Sequence, residues 1–229
     1  MSAKTVARRR YFHLVSSSVG RLYMQFISTA MQVIPAALQK VFAMSVFHSD
    51  YAFAERLAEP MRALYQTIWK GCAVTVLSSL GSVHPLDKEF GIDILIRPEN
   101  GGFVTVQEKI RRAKYLEYQD VIFESRNGDG SAGEWQHLGA HYYVVAYADE
   151  DETGIDYYLV LNVPQAVDII TREFGGLHMA GSRVTNELHG GARGYAVPWY
   201  TLAPAVAWTN IPQLQKENGA AFAAPAVNP

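Results

Sequence analysis

The chain has 229 residues, of which 49% are apolar and 18% charged, and its formal net charge is −2. This length and composition predict one globular domain with a sizeable core. The single cysteine, Cys72, rules out an internal disulfide framework and is typical of a reducing compartment, so we expect a cytoplasmic protein. The sequence lacks the loop motifs of ATPases, dinucleotide-binding proteins and serine hydrolases. We therefore expect no nucleotide cofactor.

Residues 1–49 differ in composition from the rest of the chain. They hold six basic residues and no acid, which leaves 20 − 6 = 14 basic against 22 acidic residues in the remainder. The uncharged stretch 22–38 contains Gln25, Gln32 and Pro35 and is barely long enough to span a bilayer, so we expect no membrane partner. Three interpretations of this N-terminal extension stay open: an organellar targeting peptide, a basic arm for DNA or a partner, and a packed helix.

The first element predicted after the extension is an amphipathic helix over residues 51–70. Its apolar residues recur at helical spacing and would form one stripe. They are Phe53, Leu57, Met61, Leu64 and Ile68. Pro60 is expected to kink or split this helix, since proline lacks the N–H that a helix interior needs.

Residues 90–114 alternate between apolar and polar side chains and predict a β-hairpin with its turn at 98–102. Asp93 points to the face opposite the isoleucines on either side of it, because successive side chains of a strand alternate. On the second strand Gln107 and Lys109 share a face for the same reason. Pairing of the two strands would bring Asp93, Gln107 and Lys109 together.

A carboxylate next to an amide oxygen is a ligand pair suited to a hard cation such as Mg²⁺ or Mn²⁺. A lysine beside that cation can orient a water, deprotonate it when its amine is neutral, or neutralise charge on a phosphate when it is protonated. Asp93 and Gln107 are therefore the predicted metal ligands, and Lys109 is the predicted catalytic residue that positions the attacking water. A simpler alternative is that Asp93 and Lys109 are surface groups or form a salt bridge.

Asp93 followed by Gln107-Glu108-Lys109 resembles the signature of the PD-(D/E)XK nuclease superfamily, with Gln107 in place of the usual acid. The resemblance implies an α/β fold with a restriction-endonuclease-like αβββαβ core, in which a mixed central sheet is flanked by helices. It also implies a metal-dependent endonuclease, a hydrolase of phosphodiester bonds. Members of the superfamily often add an acid from a preceding helix, which makes Glu55 a fourth candidate catalytic residue.

The elements expected after the hairpin complete this core. Strands are predicted at 118–124, 141–148 and 155–161, and a helix begins at Pro164. The nuclease-like domain would cover residues 50–213, and a disordered tail would follow at 214–229.

Nucleic acid, with DNA as the first choice, is the predicted partner. Arg111, Arg112 and Lys114 follow Lys109 and would bind phosphates, and Tyr115 would stack on a base or pack on the sheet. The loop 125–133 could lie at the rim of the cleft. The Gly-rich stretch 175–193, with four basic or imidazole side chains, could contact substrate. These are His178, Arg183, His189 and Arg193.

Two other functions fit the sequence. The first is a nuclease-fold protein that binds nucleic acid or serves as a structural protein, its substitution at Gln107 marking a lost active site. The second is a protein-interaction module that uses the Tyr-rich strands and the basic extension. The sequence leaves a homodimer open in each case.

Overall fold

A computed structural model describes residues 50–78, 82–99, 101–181, 183–188 and 192–217, without the side chains of 183–188. The predicted N-terminal extension, 1–49, and the end of the predicted tail, 218–229, lie outside these residues.

Within the described part of the chain, nine strands form two sheets. They are β1 (Ala73–Val76), β2 (Ile94–Arg97), β3 (Val104–Arg111), β4 (Asp120–Arg126), β5 (Tyr142–Ala148), β6 (Ile155–Asn162), β7 (Arg183–Leu188), β8 (Ala192–Pro198) and β9 (Val206–Thr209). The larger sheet has the order β1-β2-β3-β5-β6-β9, and the smaller has the order β4-β8-β7. Neighbours are antiparallel except β3 and β5, which are parallel. The larger sheet is therefore mixed.

Helices flank this sheet, as expected for the α/β class. The α-helices are α1 (Ala58–Ile68), α2 (Pro85–Phe90), α3 (Val163–Asp168), α4 (Leu177–Ala180), α5 (Trp199–Leu202) and α6 (Pro212–Glu217). Three 3-10 helices (Ala113–Tyr118, Glu134–His137 and Ala203–Ala205) and a π-helix (Ile169–Glu173) complete the described elements. None of the helices in the described residues is long and apolar enough to cross a membrane.

Pro60 divides the first predicted helix, as its chemistry requires. Residues 50–56 are helical, a turn follows at Leu57, and α1 begins at Ala58. Pro60 thus falls in the first turn of α1, where a missing N–H costs no intrahelical hydrogen bond. The two helical pieces both bury apolar residues, but against different parts of the sheet.

The two faces of the larger sheet have different coverings. Met61, Tyr65 and Ile68 of α1 pack against a face that includes Val106 and Val144. The opposite face packs against the smaller sheet and the α3 region, in a second core cluster. That cluster contains Val121, Phe123, Tyr143, Val145, Tyr147, Ala166, Ile170 and Val197. The side chains on the second face of β3 therefore lie between two sheets.

The connection between β3 and β5 differs from the expected αβββαβ order. No α-helix occurs in residues 112–141, which the structure describes throughout; the connection holds two 3-10 helices with β4 between them. The strand predicted at 118–124 exists as β4, at Asp120–Arg126, but it pairs with β8 in the smaller sheet. Of the expected order, the first helix and the two hairpin strands are present as α1, β2 and β3, with β1 and the short helix α2 between α1 and the hairpin.

The first residues of the tail expected from residue 214 are helical, contrary to the prediction. Helix α6 extends to Glu217, and Leu214 is buried in the core cluster beneath the larger sheet. Ile211 and Leu214 are both buried, and their apolar side chains hold α6 against the domain.

Candidate functional site

Asp93 lies directly before β2, held by its backbone and its side chain against β3. Its N–H donates to the carbonyl oxygen of Val106 at 2.9 Å, and its Oδ2 accepts from the N–H of Glu108 at 2.8 Å. These two bonds hold the Asp93 carboxylate against the Gln107–Glu108 backbone. The Asp93 carboxylate accepts no other hydrogen bond from the described residues.

The environment of Asp93 disfavours a negative charge. Burial, the largest cause, raises its pKa to about 8 against the opposing effect of the Glu108 N–H. The nearby carboxyl groups of Asp87, Glu108 and Glu134 raise this pKa further. A carboxyl group in such a place is mostly protonated at neutral pH unless a cation joins it.

Gln107 has a buried side-chain atom without a hydrogen-bond partner, and among the described residues Trp199, through its Nε1, is the other residue with such an atom. The Gln107 side chain is 8% exposed, and its Oε1 has no hydrogen-bond partner among the described residues. A Cβ atom at Gly91 would lie 3.1 Å from this oxygen, so the left-handed glycine there (φ 55°) leaves it room. A buried acceptor without a partner costs about 1–3 kcal/mol, which makes Gln107 Oε1 a candidate ligand atom.

Lys109 shares the face of β3 that Gln107 occupies, and two carboxylates hold it. Its Nζ lies 2.9 Å from Glu124 Oε1 and 3.4 Å from Glu134 Oε1. Burial lowers the pKa of Lys109, but Glu134 and Glu124 outweigh that effect and the pKa is raised. Lys109 is therefore a fixed positive charge and not a base at neutral pH.

Glu134 contacts the other three members of what we call the Lys109 cluster, which are Lys109, Glu124 and Tyr143. Its Oε1 accepts from the hydroxyl of Tyr143 at 2.8 Å and from the N–H of Glu124 at 3.0 Å, in addition to facing Lys109. It reaches the cluster from the 3-10 helix Glu134–His137, and Glu124 reaches it from β4. Neither acid was identified from the sequence. Glu124 lies in a strand predicted only as structure, and the segment around Glu134 has no periodicity that predicts a position.

Glu108 points to the opposite face of β3, as strand alternation predicts. It accepts a hydrogen bond from the hydroxyl of Tyr65 on α1. Burial raises the pKa of Glu108, although the Tyr65 hydrogen bond opposes this. Tyr65, and not Glu55, is thus the residue of the helical region that hydrogen-bonds to a side chain of β3.

The structure does not bring Glu55 to the other predicted site residues. Glu55 is exposed, and its helical segment packs through Phe53 and Leu57 against Ala148. Ala148 ends β5, whereas Gln107 is paired with Tyr143 near the beginning of that strand. The acids near Asp93 are instead Asp87, Glu108 and Glu134.

The predicted phosphate contacts from Arg111 and Arg112 are not supported. Arg111 is 7% exposed, and its Nη1 donates to Asp120 Oδ1 at 3.1 Å and to Asp120 O at 2.8 Å. Arg112 forms ion pairs with Asp50 (3.3 Å) and Glu152 (2.8 Å). Both guanidinium groups are engaged inside the domain, which favours a structural role for each.

Lys114 and Tyr115 have different exposures. Lys114 is exposed, with its Nζ 5.0 Å from the centroid of the Tyr115 ring. Tyr115 is half-buried, packs against the core, and carries the Arg111 guanidinium 5.3 Å from its ring centroid. The packing alternative for Tyr115 agrees with these contacts, and nucleic-acid binding by Lys114 stays a prediction.

A metal ion would have few protein ligands here. Among the described residues, no three His, Cys, Asp or Glu side chains converge to hold a cation. Asp93 and the Gln107 amide oxygen would supply two ligands. Such a set fits Mg²⁺, which commonly takes one or two protein oxygens and fills its shell with water and substrate phosphate. A divalent cation would also lower the raised pKa of Asp93, because its positive charge favours the ionised carboxylate.

Comparisons with known proteins add no family. Neither the family models nor the curated proteins that were searched contain a match to this chain.

Proposed function

We propose that the protein is a metal-dependent nuclease that hydrolyses phosphodiester bonds in nucleic acid, with DNA as the expected substrate. The observation that carries the proposal is the buried Oε1 of Gln107, which has no hydrogen-bond partner among the described residues. It lies on the same face of β3 as Lys109 and follows Val106, whose carbonyl binds Asp93. The antiparallel pairing of β2 with β3 also agrees with the hairpin on which the resemblance to the PD-(D/E)XK superfamily rests.

Each group has a role that its environment supports. Asp93 and Gln107 would hold Mg²⁺ or Mn²⁺, which when bound polarises a phosphoryl oxygen and lowers the pKa of bound water. Lys109, kept protonated by Glu124 and Glu134, would stabilise negative charge developing on the phosphate. Glu134 and Tyr143 fix the position of Lys109 through their shared hydrogen bond.

The charges around Asp93 favour a cation at this place. One ammonium group, from Lys109, faces two carboxylates, and the carboxyl groups of Asp87 and Glu108 lie near Asp93 as well. Acids therefore outnumber bases. A divalent cation would neutralise this excess, whereas a phosphate would be repelled without one.

A second candidate is a nuclease-fold protein that binds nucleic acid without cutting it. The specific observation in its favour is the double ion pair of Lys109, which already satisfies the charge of that ammonium group. The lack of a group of three metal-ligating acids in the described residues agrees with it. Metal-dependent cleavage separates the two candidates.

The test is cleavage of supercoiled, linear and single-stranded DNA and of RNA, with Mg²⁺, Mn²⁺ or a chelator. We expect cutting that needs the metal, a loss of roughly 100-fold or more in Asp93→Asn and Lys109→Met, and retained cutting in Gln107→Glu, which restores the acid of the superfamily pattern. Glu117→Gln, which removes an exposed acid outside the cluster, is the matched control. A folded wild-type protein that cuts none of these substrates would leave the second candidate.

A further inference from the structure

A second polar feature lies on the smaller sheet, beside the Lys109 cluster. It is a groove of about 400 Å³ between the ends of β4 and β8, the 3-10 helix Glu134–His137 and α4. Its lining includes Arg126, Arg193, His178, Trp135 and Tyr195. The groove thus combines cationic and aromatic side chains.

The two arginines are direct cross-strand partners. Arg126 on β4 is paired with Arg193 on β8, across a bulge at Ser125 that shifts the register of the two strands. The Ser125 hydroxyl donates to the carbonyl oxygen of Arg193 at 3.0 Å and fixes the bulge. A Cβ atom at Gly133 would lie 2.5 Å from the carbonyl oxygen of Glu124. Only glycine allows the chain to pass this closely beside the bulge.

Among the side chains that the structure describes, none compensates this pairing of like charges. Both side chains are exposed, and no carboxylate of the described residues forms an ion pair with either of them. Like charges directly opposite on neighbouring strands are destabilising. An anion placed between them would remove that repulsion, and a phosphate accepts two guanidinium groups well.

Two half-buried aromatic rings accompany the arginines. Trp135 packs edge-on against the buried Phe123, with ring centroids 5.2 Å apart, and the guanidinium carbon of Arg193 lies 5.8 Å from the Tyr195 ring centroid. Packing of Trp135 on Phe123 fixes its orientation before any ligand arrives. Rigid aromatic faces beside cations are the usual means of binding unpaired bases together with their phosphates.

The groove shares its walls with the candidate active site. Trp135 directly follows Glu134, and Ser125 directly follows Glu124, so the same two elements hold Lys109 and line the groove. We propose that this groove binds single-stranded nucleic acid, with a phosphate between Arg126 and Arg193 and a base against Trp135 or Tyr195. The identity of the ligand rests on the proposed function, but binding needs neither the metal nor cleavage.

The test is the affinity of the whole protein for a fluorescein-labelled single-stranded DNA oligonucleotide, measured by anisotropy with a chelator present. Arg126→Gln/Arg193→Gln should weaken binding about tenfold or more and reduce the slope of log K against log salt by about 0.7, the value for one phosphate contact on a single strand. Trp135→Leu should weaken binding about fivefold or more. Arg97→Gln removes an exposed arginine outside the groove and should change neither quantity.

The outcomes are distinct from those of the cleavage test. Loss of binding in the groove variants supports the proposal even if the wild-type protein cuts nothing. Wild-type affinity and salt dependence in a folded Arg126→Gln/Arg193→Gln protein would overturn it, even if cleavage is found. Failure of the wild-type protein to bind the oligonucleotide, or binding of a tyrosine-phosphorylated peptide in its place, would overturn it as well.

Discussion

The two ends of the second face of β3 differ in how their polar groups are compensated. At one end, Arg111 is enclosed between Tyr115 and Tyr147, with its guanidinium carbon 5.3 and 5.5 Å from the ring centroids, and bonded to Asp120. At the other end, the Oε1 of Gln107 has no partner among the described residues, and Asp93 is held where its negative charge is disfavoured.

These ends are four residues apart on the same strand, so their difference does not come from burial alone. Asp120, at the beginning of β4, supplies a carboxylate to Arg111. No described side chain supplies a donor to Gln107. A buried polar group that has a partner within the fold has a structural role. A buried polar group without one is a place where a ligand can gain binding free energy by supplying the partner.

The largest expected effect is at the compensated end. Arg111→Met removes the guanidinium group from the buried Asp120, which is 3% exposed, and should lower the free energy of unfolding by about 3–5 kcal/mol because a carboxylate stays buried without its cation. Urea unfolding measures this change. Arg172→Met, which removes an exposed arginine paired with Asp168 on the same helical segment, should cost less than about 1 kcal/mol. Equal small losses in both variants would contradict the distinction between the two ends.

At the uncompensated end, stability should depend on pH through Asp93. Its folded-state pKa, about 8, exceeds the unfolded value of about 4, so the folded protein binds the extra proton between these values. The contribution of Asp93 to the free energy of unfolding is therefore complete below about pH 4. It is lost as the pH rises to about 8, by at most about 1.4 kcal/mol per pH unit. In Asp93→Asn that loss should vanish.

Urea unfolding of the wild-type protein and of Asp93→Asn from about pH 5 to about pH 8 gives the difference between their free energies of unfolding directly. Glu108 and Lys109, whose pKa values are also raised, are present in both proteins and cancel in first order. A difference that does not change with pH would show that Asp93 is already ionised in the folded protein.

The smallest expected effect concerns the groove arginines Arg126 and Arg193, with which no described carboxylate forms an ion pair. Arg126→Gln removes one of two like charges that face each other across β4 and β8, and should raise the free energy of unfolding by about 0.2–1 kcal/mol at low salt. The gain should shrink as salt is added, because exposed charges are screened. A loss of stability in urea unfolding would mean that Arg126 is a structural residue like Arg111.

The hairpin and the shared face of Gln107 and Lys109 could be predicted from the sequence because they depend on local alternation. Two residues per repeat fix which side chains share a face, so Gln107 and Lys109 follow from the pattern of β3 alone. Pro60 also acts locally, by its missing N–H.

The prediction that the isoleucines on either side of Asp93 share a face was wrong, since Ile92 and Ile94 lie in different core clusters. Asp93 precedes β2, so the alternation of that strand does not fix its face.

The remainder of the site depends on contacts between distant elements. Nothing in the sequence of β4 indicates that it leaves the larger sheet to pair with β8, 70 residues later, and this pairing supplies the acids that engage Lys109 and Arg111. The basic run after Lys109 therefore predicted phosphate contacts where the fold provides internal partners. In contrast, Arg126 and Arg193 have no sequence pattern in common, and only the sheet brings them together.

The central claim is that Asp93 and Gln107 form a metal site, and thermal unfolding with Mg²⁺, Mn²⁺ or a chelator tests it most directly. We expect metal to stabilise the wild-type protein, by about 2.7 kcal/mol at one hundred times Kd, and not to stabilise Gln107→Met. Without metal, Gln107→Met should be about 1 kcal/mol more stable than the wild type, because it removes a buried acceptor without a partner. A wild-type protein that does not respond to either metal, or a Gln107→Met variant that responds equally, would contradict the account.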